Sequence, residues 1–278
     1  ARAWQPVAEG GFLVARRFAV VLTVAILVSG LLPAVPANAA QASGLQISLS
    51  EDFPGCVLVR HPGPQYGRVK AIVQKGEERY TYDIRLSDEP ECLPLQMGEG
   101  TYTIRLMRHV TGNTYREIGR RTVKLEGVDE REIFLASVQN VAWKDSEEVQ
   151  NLALELTEGC ETDSEKVERI YGWILENIKY DYEKARTVQA GYLPDLDQVL
   201  RDKKGICYDY ASLFAGLLRA VGIPAKLVTG YVSSQRVYHA WNEVYDGETW
   251  QMYDVTRAVM GGRKVPDLSV GYEVRYVF

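Results

Sequence analysis

The stretch Gly205-Ile-Cys207-Tyr-Asp-Tyr-Ala-Ser-Leu-Phe-Ala-Gly-Leu-Leu-Arg-Ala-Val-Gly222-Ile-Pro224 constrains the fold more than any other part of the chain. Leu213, Phe214, Leu217, Leu218 and Val221 share one helical face, Gly222 suits the position just past a helix end, and Pro224 bars continuation. The spacing predicts a helix that begins at or just after Cys207. A thiol placed there meets the positive end of the helix dipole and several unpaired N–H groups. Both favour the thiolate, which is the reactive form. Gly205 lets the backbone turn tightly and a substrate approach. A cysteine at a helix start is still more often an inert buried residue, so its partners decide the reading.

Those partners follow within fifty residues. Ile223 to Tyr231 reads as a strand, Val237 to Tyr245 as another, Asp246-Gly247 as a hairpin turn, and Trp250 to Thr256 as the return strand. If Tyr245 pairs with Trp250, His239 stands opposite Thr256 and Trp241 opposite Asp254. His239 and Asp254 are then diagonal neighbours on one face, with backbones ~7–8 Å apart and side chains able to meet. A carboxylate so placed orients an imidazole. A change of one residue in the turn would put the two on opposite faces. Taken singly, His239 reads as a solvent-facing strand histidine and Asp254 as a carboxylate near a turn. Taken with Cys207, they form a nucleophile, base and orienter set.

Upstream, the texture divides the chain into three. Arg16-Arg17, the apolar run Phe18–Leu32 and Ala37-Asn38-Ala39 have the three parts of an export leader, so residues 1–39 are expected to be a signal peptide. The run is shorter than the ~20 residues of a spanning helix, and a membrane contact is expected only if this segment is uncleaved. Residues 40–140 carry short alternating runs: Leu45–Leu49, Val57–Val59, Val69–Val73, Tyr80–Ile84, Thr101–Leu106 and Arg121–Leu125, the last two joined across Thr111-Gly112-Asn113. They predict an all-β, sandwich-like domain. Residues 141–278 open with helical spacing. One helix runs from Ser146, as N-cap, to Glu158 with Gly159 closing it; a second runs from Asp163, capped by Asp163 or Ser164, to Lys179; a short one lies near Asp197–Leu200. Charges of both signs are mixed, with a net charge of −5 and no basic stripe. Nucleic acid is therefore not an expected partner.

The blocks Gly205-Ile-Cys207-Tyr-Asp-Tyr-Ala, Leu217-Leu-Arg219-Ala-Val-Gly-Ile-Pro224-Ala, His239-Ala-Trp-Asn-Glu-Val and Tyr253-Asp254-Val-Thr256 resemble the core of the transglutaminase-like superfamily, over about Glu148 to Thr256. Lys166, Tyr171, Trp173 and Tyr180-Asp181-Tyr182 are similar to the pattern of its bacterial members. The resemblance implies an α+β, papain-like C-terminal domain, with the cysteine helix packed on an antiparallel sheet that carries the His and Asp. It also implies acyl chemistry through a thioester at Cys207. Animal members have Gln before the nucleophile and an upstream Trp that supports the oxyanion. Here Ile206 takes the first place, and Trp173 falls within a predicted helix, so the oxyanion donors are sought in the Cys207 or Tyr208 N–H and a side chain not yet identified. There is no acidic calcium-loop pattern, so calcium control is not carried over, and no metal or cofactor is expected.

The catalytic set expected is thus Cys207, His239 and Asp254, acting on a peptide or protein amide outside the cytoplasm, in the cell envelope or secreted. Water would make the protein a protease or amidase, and an amine would make it a crosslinking enzyme; hydrolysis is the preferred outcome. The alternative is a non-catalytic binding or scaffold protein on the same fold. A redox role for Cys207 has no C-x-x-C to support it. Of the remaining cysteines, Cys56, Cys92 and Cys160, the pair Cys56–Cys92 is the preferred disulfide because both lie in one expected domain.

Overall fold

The alternating N-terminal segments build two antiparallel sheets. The structure is a computed structural model, and it describes residues 46–232, 237–261 and 271–278. The expected leader lies outside the described residues. The strands are β1 (Ile47–Leu49), β2 (Cys56–Val59), β3 (Val69–Lys75), β4 (Glu78–Ile84), β5 (Glu91–Pro94), β6 (Gly100–Thr111) and β7 (Thr114–Leu125). One sheet has the order β1-β2-β5 and the other β4-β3-β6-β7. Period-two alternation sends Val69, Ala71, Val73, Tyr102, Ile104 and Leu106 to the same core as Val57, Val59 and Leu93. The two sheets face each other across that core, the sandwich-like arrangement expected from the alternation. The β6–β7 turn falls at Gly112-Asn113, as the sequence suggests. Strand β5 escaped the sequence reading because it follows Pro90, ends on Pro94 and is too short to show a period.

The three-stranded sheet is covered on both faces at β2 and β5, around Cys56. While Val57 and Val59 fill the sandwich, Cys56 belongs to a second core that continues through Ala136, Val138 and Val141. This explains why β2 reads as the unbroken apolar run Cys-Val-Leu-Val rather than as an alternation.

After the one-turn α1 (Glu130–Ile133) come α2 (Glu147–Thr157), α3 (Asp163–Asn177), the two-residue strand β8 (Lys179–Tyr180), α4 (Tyr182–Thr187), α5 (Leu196–Asp202), β9 (Lys204–Gly205) and α6 (Cys207–Ala220). Then follow β10 (Ala225–Val232), β11 (Val237–Tyr245), β12 (Trp250–Tyr253), α7 (Val255–Met260) and β13 (Tyr272–Val277). Ser146 caps α2 through Val149 N at 3.0 Å, as the sequence predicts. Helix α3 is capped by Thr162, which accepts from Glu165 N, and not by Asp163 or Ser164: the cap must stand outside the helix, and Asp163 is already its first residue. Helix α6 ends as expected, with Gly222 at φ +80° just beyond it.

Helix α6 is buried on nearly every side, from Asp209 to Arg219. Helices α2, α3 and α5 cover one flank, and the antiparallel sheet β12-β11-β10-β13 covers the other. The fold is therefore α+β, with the cysteine helix against an antiparallel sheet. Arg219 has no carboxylate partner among the described residues. Its guanidinium instead donates to Ala225 O at 2.9 and 2.7 Å, Ala136 O at 2.7 Å and Phe278 O at 2.8 Å. Phe278 in turn packs on both cores. One side chain thus ties α6, β10, the segment before α2 and the end of β13 together. No helix among the described residues is long and apolar enough to cross a membrane.

Replacing Arg219 by Leu keeps most of the volume but leaves the buried carbonyls of Ala225 and Ala136 without their side-chain donor, whereas Phe278 O keeps the Leu227 N–H at 2.8 Å. Arg219→Leu is expected to lower the unfolding free energy by about 3–5 kcal/mol in urea titration, at ~1–3 kcal/mol for each orphaned group. A loss below ~1 kcal/mol would mean that water reaches the joint and that the guanidinium does not hold it.

Candidate active site

Cys207 is the first residue of α6, the position its sequence predicts, and it is half-buried. The residue before it, Ile206, offers no side-chain acceptor. The helix is closed from the other direction: Asp209 Oδ2 accepts from Ile206 N at 2.8 Å. That leaves the first N–H groups of a 14-residue helix without a side-chain cap beside the thiol. Asp209 is fully buried, with Lys184 Nζ 2.7 Å away and the Tyr192 hydroxyl on its other oxygen. A Cβ at position 205 would stand 2.6 Å from Asp209 Cβ. Gly205 is therefore needed to let this carboxylate fold back under the turn.

His239 lies in β11, opposite Gly230 of β10. Tyr245 does pair with Trp250, but the ladder stops at Asn242↔Tyr253. The expected return strand to Thr256 is thus corrected: Thr256 lies in α7, and no pairing of His239 with Thr256 forms. Asp254 leaves the sheet because its carboxylate caps α7, with Oδ1 accepting from Arg257 N at 3.0 Å. Its other oxygen, Oδ2, takes His239 Nε2 at 2.8 Å and the Tyr272 hydroxyl at 2.8 Å. The two side chains therefore meet as the register suggested, by a different route. A helix cap turns Asp254 back toward the imidazole where a continued strand would have offered only a diagonal.

With Nε2 taken by Asp254, the second ring nitrogen remains available to the Cys207 thiol, which is near enough to act on the imidazole. Burial pulls the imidazole pKa down, but the bond to Asp254, the adjacent Cys207 thiol and the charges of both outweigh it and push His239 up to about 9. The His239 ring lies near-parallel to Trp241 at 6.4 Å, and Trp241 packs edge-on against Tyr272 at 4.9 Å. The helix and the strand are held in register by Asn242, whose Nδ2 donates to Ala211 O at 2.9 Å and to Lys226 O at 3.1 Å. No group of His, Cys, Asp and Glu suited to a metal ion occurs among the described residues.

Residues 150–255 match the family described as the transglutaminase-like superfamily. The chain carries a transglutaminase-like domain. Mouse kyphoscoliosis peptidase is 31% identical over 118 residues, which cover 39% of this chain and 18% of that protein. The uncharacterised protein YebA of Bacillus subtilis strain 168 is 28% identical over 177 residues, 57% of this chain and 23% of YebA. The aligned stretch is thus less than a quarter of either relative. A solved Cytophaga hutchinsonii protein, proposed to be a cysteine protease, is 18% identical with a TM-score of 0.38, covering 76% of this chain and 83% of that one.

Five residues around the transglutaminase-like site escaped the sequence reading. Tyr272 bonds Asp254 from β13, and nothing in its local pattern marks it. Asn242 lies within the His239 block but reads as an ordinary strand residue. The Asp209–Lys184 pair is separated by 25 positions, so no helical or strand period connects it. Tyr180 sits in β8, paired with Gly205 two residues before Cys207. Its ring is stacked on Tyr210 at 6.5 Å, and burial and then the nearby Cys207 push its phenol pKa up. Its hydroxyl makes no hydrogen bond among the described residues, so it remains a protonated donor beside the thiol.

The raised imidazole pKa has a defined pH consequence. Its folded value exceeds the unfolded ~6.5, so the stabilisation is complete below pH ~6.5 and is lost as pH rises through about 9. Proton NMR titration of the three histidines should show one ring with a midpoint near 9. In Asp254→Asn that midpoint should fall by ~1–2 pH units. A wild-type His239 midpoint near ~6.5 would show that the pair is not formed in solution.

Proposed function

We propose that the transglutaminase-like domain is a thiol-dependent acyl-transfer enzyme, with Cys207 as nucleophile, His239 as general base and acid, and Asp254 as orienter. The observation that carries this reading is a single imidazole bonded through Nε2 to Asp254 and close enough to Cys207 for the thiol to raise its pKa, at the uncapped start of a buried helix. A structural histidine would need neither the thiol nor a protonated state near neutrality. The thiolate attacks an amide carbonyl, the imidazolium protonates the departing amine, and the resulting thioester is resolved by water activated at the same ring. Asp254 holds the tautomer and stabilises the imidazolium, while the Arg257 N–H and the Tyr272 hydroxyl keep that carboxylate in place.

The oxyanion that forms on the carbonyl needs donors aimed where its charge develops. The free backbone N–H groups of Cys207 and Tyr208 supply one side. We assign the other to the Tyr180 hydroxyl, which is near the thiol without being bonded to it, as a donor to an atom one bond beyond sulfur must be. Peptide or protein hydrolysis is favoured over crosslinking because a relative is named a peptidase. The leader-like residues 1–39 favour a substrate outside the cytoplasm, in the envelope or the medium.

Two reactions separate the parts of this proposal. Acylation by p-nitrophenyl acetate, read as a burst of nitrophenol, requires both the thiolate and an oxyanion site. Alkylation by iodoacetamide requires the thiolate alone. Cys207→Ala should abolish the burst, and His239→Ala should slow both reactions at pH 6–7, the burst by ~10²–10⁴-fold. Tyr180→Phe should slow the burst by ~10²-fold and leave alkylation unchanged. A wild-type protein whose Cys207 alkylates like an ordinary thiol, with a pH midpoint near ~8.5 and no burst, would make the domain a scaffold. A normal burst in Tyr180→Phe would remove only the assignment of that donor.

A further inference from the structure

Two cysteines that the site does not use lie side by side where the sandwich meets the core around α6. Leu58 stands opposite Cys92 and Cys56 opposite Pro94, so the two cysteines are diagonal neighbours on β2 and β5. Both point away from the sandwich: Val57, Val59 and Leu93 fill its core, whereas Cys56 and Cys92 pack toward α6. Both thiols are free, so the disulfide expected between them from the sequence is not formed here, and Cys92 stands close enough to raise the Cys56 pKa. Their surroundings differ. Cys56 is fully buried. Cys92 is half-buried and lines a groove of about 910 Å³, together with Phe53, Leu58, Pro90 and Lys144. The charge of the buried Arg219 guanidinium reaches both thiols.

We propose that Cys56 and Cys92 are an exchangeable dithiol, closed to a disulfide by a small disulfide, such as oxidised glutathione, that enters along the groove and meets Cys92 first. The Cys92 thiolate attacks one sulfur of the incoming disulfide, forming a mixed disulfide and expelling one thiolate. Cys56 then loses its proton and attacks Cys92 Sγ, forming the Cys56–Cys92 bond and expelling the second thiolate. Two protein thiols are oxidised and one disulfide is reduced to two thiols, with the two protons taken up by the leaving groups. The order is set by access, since Cys56 has no solvent path in the described structure. It is also set by charge. Cys56 is held protonated by the neighbouring Cys92 thiol, by burial and by the charge of Cys92, while Arg219 acts in the opposite sense. Once Cys92 is capped, both of its own contributions vanish and the opposing pull of Arg219 remains.

Diagonal neighbours in a sheet have backbones ~7–8 Å apart, at or past the upper limit for a disulfide. The bridge therefore belongs with the readily reduced kind, a reversible staple between β2 and β5 and not a permanent one. This inference is independent of amide chemistry, and its test removes the catalytic thiol.

The experiment uses the full chain carrying Cys160→Ser and Cys207→Ser, so that only the proposed pair remains. After exposure to oxidised glutathione and an alkylating quench, intact mass is expected to fall by two hydrogens. Peptide mapping should then join the Cys56 and Cys92 peptides, and dithiothreitol should restore both thiols. Strain in the bridge should offset much of the loop-closure gain, so the oxidised form should melt within about 5 °C of the reduced one. Adding Cys56→Ala should instead trap one glutathionyl group on Cys92. A stable glutathionyl adduct while Cys56 is present would overturn the proposal, and so would two thiols that remain free.

Discussion

Helix α6 is surrounded by protein over almost its whole length, and the rest of the molecule is arranged around that burial. A buried helix must satisfy its polar groups without water. Ser212 donates to Asn140 O at 2.6 Å, Asn242 reaches Ala211 O, and Arg219 gathers carbonyls from three other segments. Each of these bonds also fixes a neighbour. Asn242 locks the His239 strand to the helix, and Ser212 locks the segment leading out of the sandwich. Apolar packing gives the helix its stability, but these polar ties set its position along and around its axis. The position of Cys207 depends on both.

The helix start is the one part of α6 left incompletely satisfied. Asp209 closes the turn from within and is itself neutralised by Lys184 and Tyr192, so the dipole end faces the thiol without a side-chain cap in the way. The same economy appears at Asp254. One oxygen begins α7 while the other holds His239 and Tyr272, so a single carboxylate ends the sheet, starts a helix and fixes the imidazole. Such double use makes the site rigid, because moving the carboxylate would uncap a helix.

The sandwich is more than an appendage to this arrangement. Its three-stranded sheet has one face in each core, so β2 and β5 serve as a shared wall, with Arg219 and the Cys56–Cys92 pair on the side facing α6. Changes at that wall act on the helix that carries the nucleophile. This gives the proposed dithiol a structural setting distinct from the catalytic thiol.

Local chemistry carried much of this in the sequence. The period of Leu213, Phe214, Leu217 and Leu218, with Gly222 and Pro224, located α6 and placed Cys207 at its start; Ser146 announced α2; and the Tyr245–Trp250 pairing followed from a turn of known length. Such features depend on neighbours within a few residues, and so they can be read along the chain. The helical turn at Asp254 could not be read in this way, because a strand and a capped helix compete for the same residues and the sheet edge decides between them. Nor could Tyr272, Tyr180 and Lys184 be assigned partners, since their contacts join positions between 18 and 27 residues from the groups they serve. The shared wall, too, was hidden. A run such as Cys-Val-Leu-Val states that both faces of a strand are covered, but only the folded chain determines what covers them, because burial belongs to the packed assembly of segments and not to any one of them.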